Sequence, residues 1–258
     1  MATHLIAFQG SVDAATLTAL PTVVDDVLTR TGTTRYVVPE EYNYVRFAIA
    51  TGPNLTRAVL VAPSLEVRRM RGEIIPHTRG TETLNSAKPA IALFPTPLAL
   101  TPSEELEAQV TEDAAGASQV NVLVSLSPAE LPPPPGGDLR IVRATSSTTL
   151  TPRTWTTVNV TLDLSLEPGE YALVGFLPIS ANCIAARALI TGQVFRPGMP
   201  GLAGSEPTAR DFDYVSYERL MFYDMGHFTH INVPQFQFFS AAADTSEVVI
   251  MYLVKVGG

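Results

Sequence analysis

A stretch of nine residues occurs twice in this chain. Pro39–Phe47 reads P-E-E-Y-N-Y-V-R-F and Pro168–Phe176 reads P-G-E-Y-A-L-V-G-F, with Pro, Glu, Tyr, Val and Phe at matching places. The two copies lie 129 residues apart, half the chain length of 258. A second echo sits near the end of each half. Ala114–Leu126 is A-A-G-A-S-Q-V-N-V-L-V-S-L and Ala242–Val254 is A-A-D-T-S-E-V-V-I-M-Y-L-V, at an offset of 128. Two matches in the same order at nearly one offset point to tandem duplication of one fold. The duplication pairs Tyr42 with Tyr171 and Val120 with Val248. Each copy is of ordinary domain size and can bury its own core. The domains are expected at 1–130 and 138–258, joined by 131–137. That joint, L-P-P-P-P-G-G, reads as a short stiff connector with a bend, holding the domains side by side.

The segments within each copy read as short strands. His4–Val12 is a strand ending in a Gly-Ser turn, and Asp138–Thr145 answers it. Thr16–Thr31 is ambiguous. Leu20, Val23, Val24, Val27 and Leu28 fit helical spacing, yet the matching Thr156–Leu166 alternates as a strand, and a strand is expected in both halves. The Tyr, Val and Phe of the repeated stretch suit a pleated face. Leu55–Val61 and Ile184–Ile190 follow as partners, with Arg57 and Arg187 expected in matching places. His77–Pro89 reads as a loop, Ala90–Leu100 as a strand, Val120–Leu126 and Ser246–Val256 as closing strands, and Gly- and Pro-rich Thr191–Arg210 as the longest loop. Many short strands punctuated by Pro and Gly indicate an all-β sandwich. About eight antiparallel strands per copy would suit two tandem jelly rolls.

Charge and motifs narrow the function classes. The net charge of −8, with lysine only at 88 and 255, argues against an electrostatic grip on nucleic acid. No run approaches the roughly 20 apolar residues of a membrane-spanning helix, and the N-terminal residues carry no pattern of a secretory signal. Without such a signal the sequons at Asn54 and Asn159 mean little. Cys183 is the single cysteine and sits in A-N-C-I-A-A, the setting of a buried small hydrophobe rather than a nucleophile. Arg68, Arg69 and Arg71 suit a solvated strand face or a subunit contact. Asp224, His227 and His230 form D-x-x-H-x-x-H. On a strand, residues three apart point to opposite faces, so no metal is expected there. His4 and His77 stand alone in sequence. No G-x-S-x-G, phosphate-binding loop or G-x-G-x-x-G occurs, and no cofactor is expected. The aromatic stretch Tyr214–Phe239 reads as core mixed with subunit interface, being rich in Tyr, Phe, Met and Arg.

Two sandwich copies, a short stiff joint and no catalytic motif together resemble the double jelly-roll major capsid proteins of tailless icosahedral viruses. That lineage includes adenovirus hexon and compact phage coat proteins. The resemblance is architectural and covers nearly the whole chain. It implies a homotrimeric, pseudo-hexagonal capsomer that tiles a shell, with minor capsid and penton proteins and an internal membrane as further neighbours. It also implies a location in the virion after synthesis in the host cytoplasm, and no direct nucleic-acid contact. This chain lacks the long tower-like loops of larger relatives, so a smooth shell is expected. Two other classes stay open. A carbohydrate-binding tandem sandwich, such as a phage spike or fibre domain, would use Tyr217 or Tyr223. A hydrolase would draw on Glu104, Glu105, Asp211 or Asp213 as paired carboxylates, although Glu104, Glu105 and Glu107 read more simply as a solvated face.

Overall fold

The computed structural model describes residues 3–25, 33–74, 76–77, 92–113, 117–204 and 222–257. The fold is all-β; the one helix among the described residues is α1, Pro63–Val67. Contacts gather the chain into two compact units that part between Ala129 and Glu130, with Thr3 belonging to the second.

The first unit holds β1 (His4–Val12), β2 (Thr18–Ala19), β3 (Tyr36–Val37), β4 (Tyr44–Thr51), β5 (Leu55–Val61), β6 (Gly72–Ile74), β7 (Pro76–His77), β8 (Ala92–Ala99), β9 (Glu105–Glu112) and β10 (Ser118–Ser127). One sheet runs β1-β10-β4, with β7 and β8 both pairing β4; the other runs β2-β9-β5-β6, with β3 also on β9. β9 shows why two layers form. Leu106, Ala108, Val110 and Glu112 are buried on one face, while Glu105, Glu107, Gln109 and Thr111 point the other way. β1 lies against β9 and β4 against β6, so the two apolar faces meet.

The second unit repeats this plan. It holds β11 (Leu139–Ser146), β12 (Trp155–Val158), β13 (Thr161–Leu162), β14 (Glu170–Ser180), β15 (Cys183–Leu189), β16 (Gly198–Pro200), β17 (Leu202–Ala203), β18 (Gly226–Thr229), β19 (Gln235–Ser240) and β20 (Glu247–Gly257). Its sheets run β13-β11-β20-β14, with β17 and β18 on β14, and β12-β19-β15-β16. Phe176 of β14 meets Phe236 of β19 edge-on at 5.1 Å, joining the two layers.

The irregularities repeat as well. β4 bulges at Arg46 against β10, and β14 bulges at Val174 against β20. β5 and β15 each bulge one residue after their start, at Thr56 and Ile184. Val120 and Val248 lie in the corresponding strands β10 and β20. Tyr171 lies within β14, whereas Tyr42 is in the turn before β4; both are buried.

Several local expectations are corrected. Arg57 and Arg187 are not equivalent. Gln109 faces Val59 and Gln237 faces Arg187, so Arg187 takes the place of Val59, one pleat beyond Arg57's counterpart. Two short pairings, β4 with β7 and β14 with β17, are parallel, against the all-antiparallel expectation. Residues 191–204 are not wholly loop: β16 and β17 arise there, with Pro200 at the end of β16, tolerated at a sheet margin. Thr156–Leu166 breaks into β12 and β13, and in 16–25 the strand shrinks to Thr18–Ala19. Residues 26–31, 78–91 and 205–210 of the expected segments lie outside the described residues.

Gly201 sits between β16 and β17, its amide donating to the Ile184 carbonyl at 2.8 Å. A Cβ there would overlap the Cys183 Sγ and come within 2.9 Å of its carbonyl carbon. Gly201→Ala is therefore expected to destabilise the second unit by about 1–3 kcal/mol, read as an earlier urea midpoint with an unchanged slope.

Candidate functional site

The carboxylates first singled out are occupied by the fold. Glu104 lies just before β9 and reaches the start of α1. Its Oε2 accepts from the Ser64 amide at 2.8 Å, and its Oε1 accepts from the Ser64 hydroxyl at 2.6 Å and the Thr101 amide at 2.6 Å. Residue 62 of this helix is alanine, which supplies no side-chain cap, so Glu104 satisfies donors that the sequence leaves orphaned. A cleft of about 570 Å³ opens beside it, lined by Pro63, Val67, Arg68, Leu100 and Thr101. Glu104 is its single carboxylate, and both oxygens are already engaged. Glu105 and Glu107 share Arg35, at 2.6 and 2.9 Å, on an exposed face. They carry no acid–base pair, and such surface pairs contribute little stability. Asp211 and Asp213 lie outside the described residues.

The D-x-x-H-x-x-H stretch divides. β18 pairs with the start of β14, and this brings Glu170 to His227. His227 Nδ1 is 3.3 Å from Glu170 and its Nε2 is 3.0 Å from Asp224, all three partly exposed. His230 turns away, and its Nδ1 accepts from the Gly169 amide at 3.2 Å. Among the described residues no group of three or more His, Cys, Asp or Glu is placed to hold a metal ion. His4 was not isolated in space: buried in β1, it lies 2.9 Å from the equally buried Asp25 and ties the segment after β2 to the first strand. Cys183 is fully buried, and burial pushes its thiol well above the ordinary value, unlike a nucleophile. Arg68, Arg69 and Arg71 lie on the turn after α1 rather than on a strand. Arg68 donates to the Ser64 and Ala99 carbonyls, and Arg69 has a φ of 55°.

The outer faces of the corresponding sheets have diverged. On β5–β9 the first unit carries Arg35 with its two glutamates, Arg57 with Glu73, and Thr56 with Thr111 at 2.9 Å, all on exposed surface. On β15–β19 the second unit carries Arg187, fully buried, with its guanidinium 4.2 Å from the centre of the Trp155 ring. Gln237 accepts from Arg187 Nε at 2.7 Å and from Arg196 at 2.6 Å, and donates to Thr157 at 3.1 Å. Sequence inspection missed this cluster. Trp155 is the only tryptophan of the chain, which was the available signal.

Among its described residues, the aromatic stretch is mostly core. Phe228, Phe236, Phe238 and Phe239 are buried, and Tyr223 is buried with its hydroxyl 2.7 Å from that of Thr3. Tyr223 is thus not a platform for a sugar ring; Tyr214 and Tyr217 lie outside the described residues. Phe222 differs. It is 38% exposed, holds a φ of 64°, and meets Tyr252 edge-on at 5.8 Å. Tyr252 pairs across the ladder with Ile141, which is 62% exposed, two residues from half-exposed Leu139. Phe222, Tyr252, Ile141 and Leu139 therefore make an apolar strip on the β11–β20 sheet, of the kind that marks an interaction surface.

No family model matches the chain, and no curated protein does. Among solved structures, the major capsid protein P2 from Bacteriophage PM2 is similar over 98% of each chain at 12% identity, with a TM-score of 0.24. That degree of likeness is too low to define a shared fold.

Glu104→Ala should leave the Ser64 and Thr101 donors without their carboxylate. Hydrogen bonds to a charged group each contribute about 1.5–3 kcal/mol. A loss of at least about 1.5 kcal/mol in equilibrium unfolding is expected, and a variant as stable as wild type would refute the capping role.

Proposed function

We propose that the protein is a viral coat protein of the double jelly-roll type, assembling as pseudo-hexameric homotrimers into an icosahedral shell. The observation that carries this reading is the repetition of one strand order. β1-β10-β4-β8 over β2-β9-β5-β6 in the first unit recurs as β11-β20-β14-β18 over β12-β19-β15-β16 in the second. Two four-stranded sheets with the first and last strands adjacent are the jelly-roll arrangement, a common shell-forming architecture. The short β3, β7, β13 and β17 are additions to it.

The state of the candidate sites favours assembly over chemistry. Glu104 is fully engaged in structure, Glu105 and Glu107 are paired with arginine, and Tyr223, Phe228, Phe236, Phe238 and Phe239 are buried. Among the described residues, the apolar surface includes the strip of Leu139, Ile141 and Phe222. A shell protein works by burying such patches between identical subunits, commonly about 2,000–5,000 Å² in obligate interfaces. Minor capsid and penton proteins, and an internal membrane, are the further neighbours this reading allows. The site of action would be the virion, after synthesis in the host cytoplasm.

Sedimentation of the purified protein should find a trimer, and negative-stain imaging should find pseudo-hexagonal particles or shells. Phe222→Asp and Ile141→Asp should weaken association more than they lower the melting temperature, because both side chains reach solvent. A wild-type chain that stays monomeric at micromolar and higher concentration, and never forms capsomers, would overturn the proposal.

A further inference from the structure

Glu247 is the first residue of β20 and is 1% exposed. Both its carboxyl oxygens are buried. The ladder places it opposite Ser146 of β11, whose hydroxyl and the Glu247 amide are the donors that face it. Ser146 shares that hydroxyl with Thr148, donating to that side chain at 3.0 Å and accepting from the Thr148 amide at 3.1 Å. On the other side, Ile179 pairs with Val248, so Ser180 at the end of β14 is the next neighbour. The Ser180 hydroxyl is taken by Asp244 at 2.5 Å. Asp244 also accepts from the amides of Ala181 at 2.7 Å and Thr245 at 2.8 Å. Burial pushes the Asp244 carboxyl up, but the bonds from Ser180 and the amides of Thr245 and Ala181 outweigh it and hold the group below its ordinary value. Asp244 therefore stays ionised, and Cys183 of β15, fully buried nearby, is neutral.

We propose that Asp244 and Glu247 form a proton-operated latch, in which loss of the Glu247 proton loosens the β20–β11–β14 end of the second unit and exposes Cys183. This goes beyond the coat-protein reading and does not depend on it. The physical reason is that charging a buried carboxyl near a second carboxylate costs more than its few donors return. Burial, with the Asp244 charge, outweighs the bonds from its own backbone amide and from Ser146 and raises Glu247 from 4.5 to about 7. The folded state thus holds a proton that the opened state gives up. The stabilisation is complete below about 4.5 and is lost as pH rises through about 7.

Cys183 is the only cysteine, so thiol labelling reports the opening directly. Labelling rates of wild type and Glu247→Gln are compared at each pH, which cancels the intrinsic ionisation of the opened thiol. The wild-type-to-variant ratio should rise more than about tenfold between about pH 5 and pH 8.5, levelling off above about 7. A ratio that stays flat overturns the latch. Should Glu247→Gln fail to fold, wild-type protein labelled with ¹³C at glutamate carboxyls decides. One folded-state resonance must titrate near 7, and a set in which every glutamate titrates near its ordinary value overturns the proposal.

Discussion

The last strand of each half closes it from the middle. β10 enters between β1 and β4, and β20 enters between β11 and β14. Each therefore pairs on both sides over most of its length. Its nine- or eight-residue ladder with the first strand joins residues more than a hundred positions apart. Ordering so distant a loop costs entropy that only continuous pairing and burial on both faces can offset. Eight of the ten residues of β10 are buried, and the loss of any from Asn121 to Leu126 weakens two ladders at once. The position of the other sheet follows. β9 and β19 immediately precede the closing strands and must cross to the opposite layer, carrying β5 and β15 with them.

This double burial explains what could be read in the sequence and what could not. The closing strands were legible because Val120, Val122 and Val124, like Val249, Met251 and Leu253, alternate onto the inner face. Asn121, Ser125 and Ser127 of β10 are polar, yet they are 0–1% exposed. Alternation reports a half-buried strand, and it misleads when both faces are covered. The offset of the repeat was legible to within a residue, and that residue matters. A one-residue slip moves a side chain to the other face, as with Val120, which is buried inward, and Val248, beside which Val249 takes the inward place; Arg57 and Arg187 differ by two positions on one face, yet one is solvated and the other enclosed.

The site residues were only partly legible. Of D-x-x-H-x-x-H only His227 lies on β18; the turn before the strand brings Asp224 to 3.0 Å from it, while His230, beyond the strand, turns to the Gly169 amide. The capping role of Glu104 was hidden, since its donors at Ser64, forty residues away, become neighbours only through the pairing of β5 with β9. Glu247 was hidden for the same reason. It looks like any charge at a strand's start, and its burial is set by β11, β14 and β15 together.

Replacing Val59 by Arg187 at one register position has a consequence for symmetry. Two copies of one fold could be interchangeable building blocks, each offering the same outward face. Here one face is exposed, salt-sensitive and carries weak ion pairs; its counterpart encloses a guanidinium against an indole. A ring that alternated such units would have only threefold identity inside a sixfold outline. Its neighbours could distinguish odd positions from even ones, and the duplicated chain would carry, in its own surface chemistry, the instruction for which way round to sit.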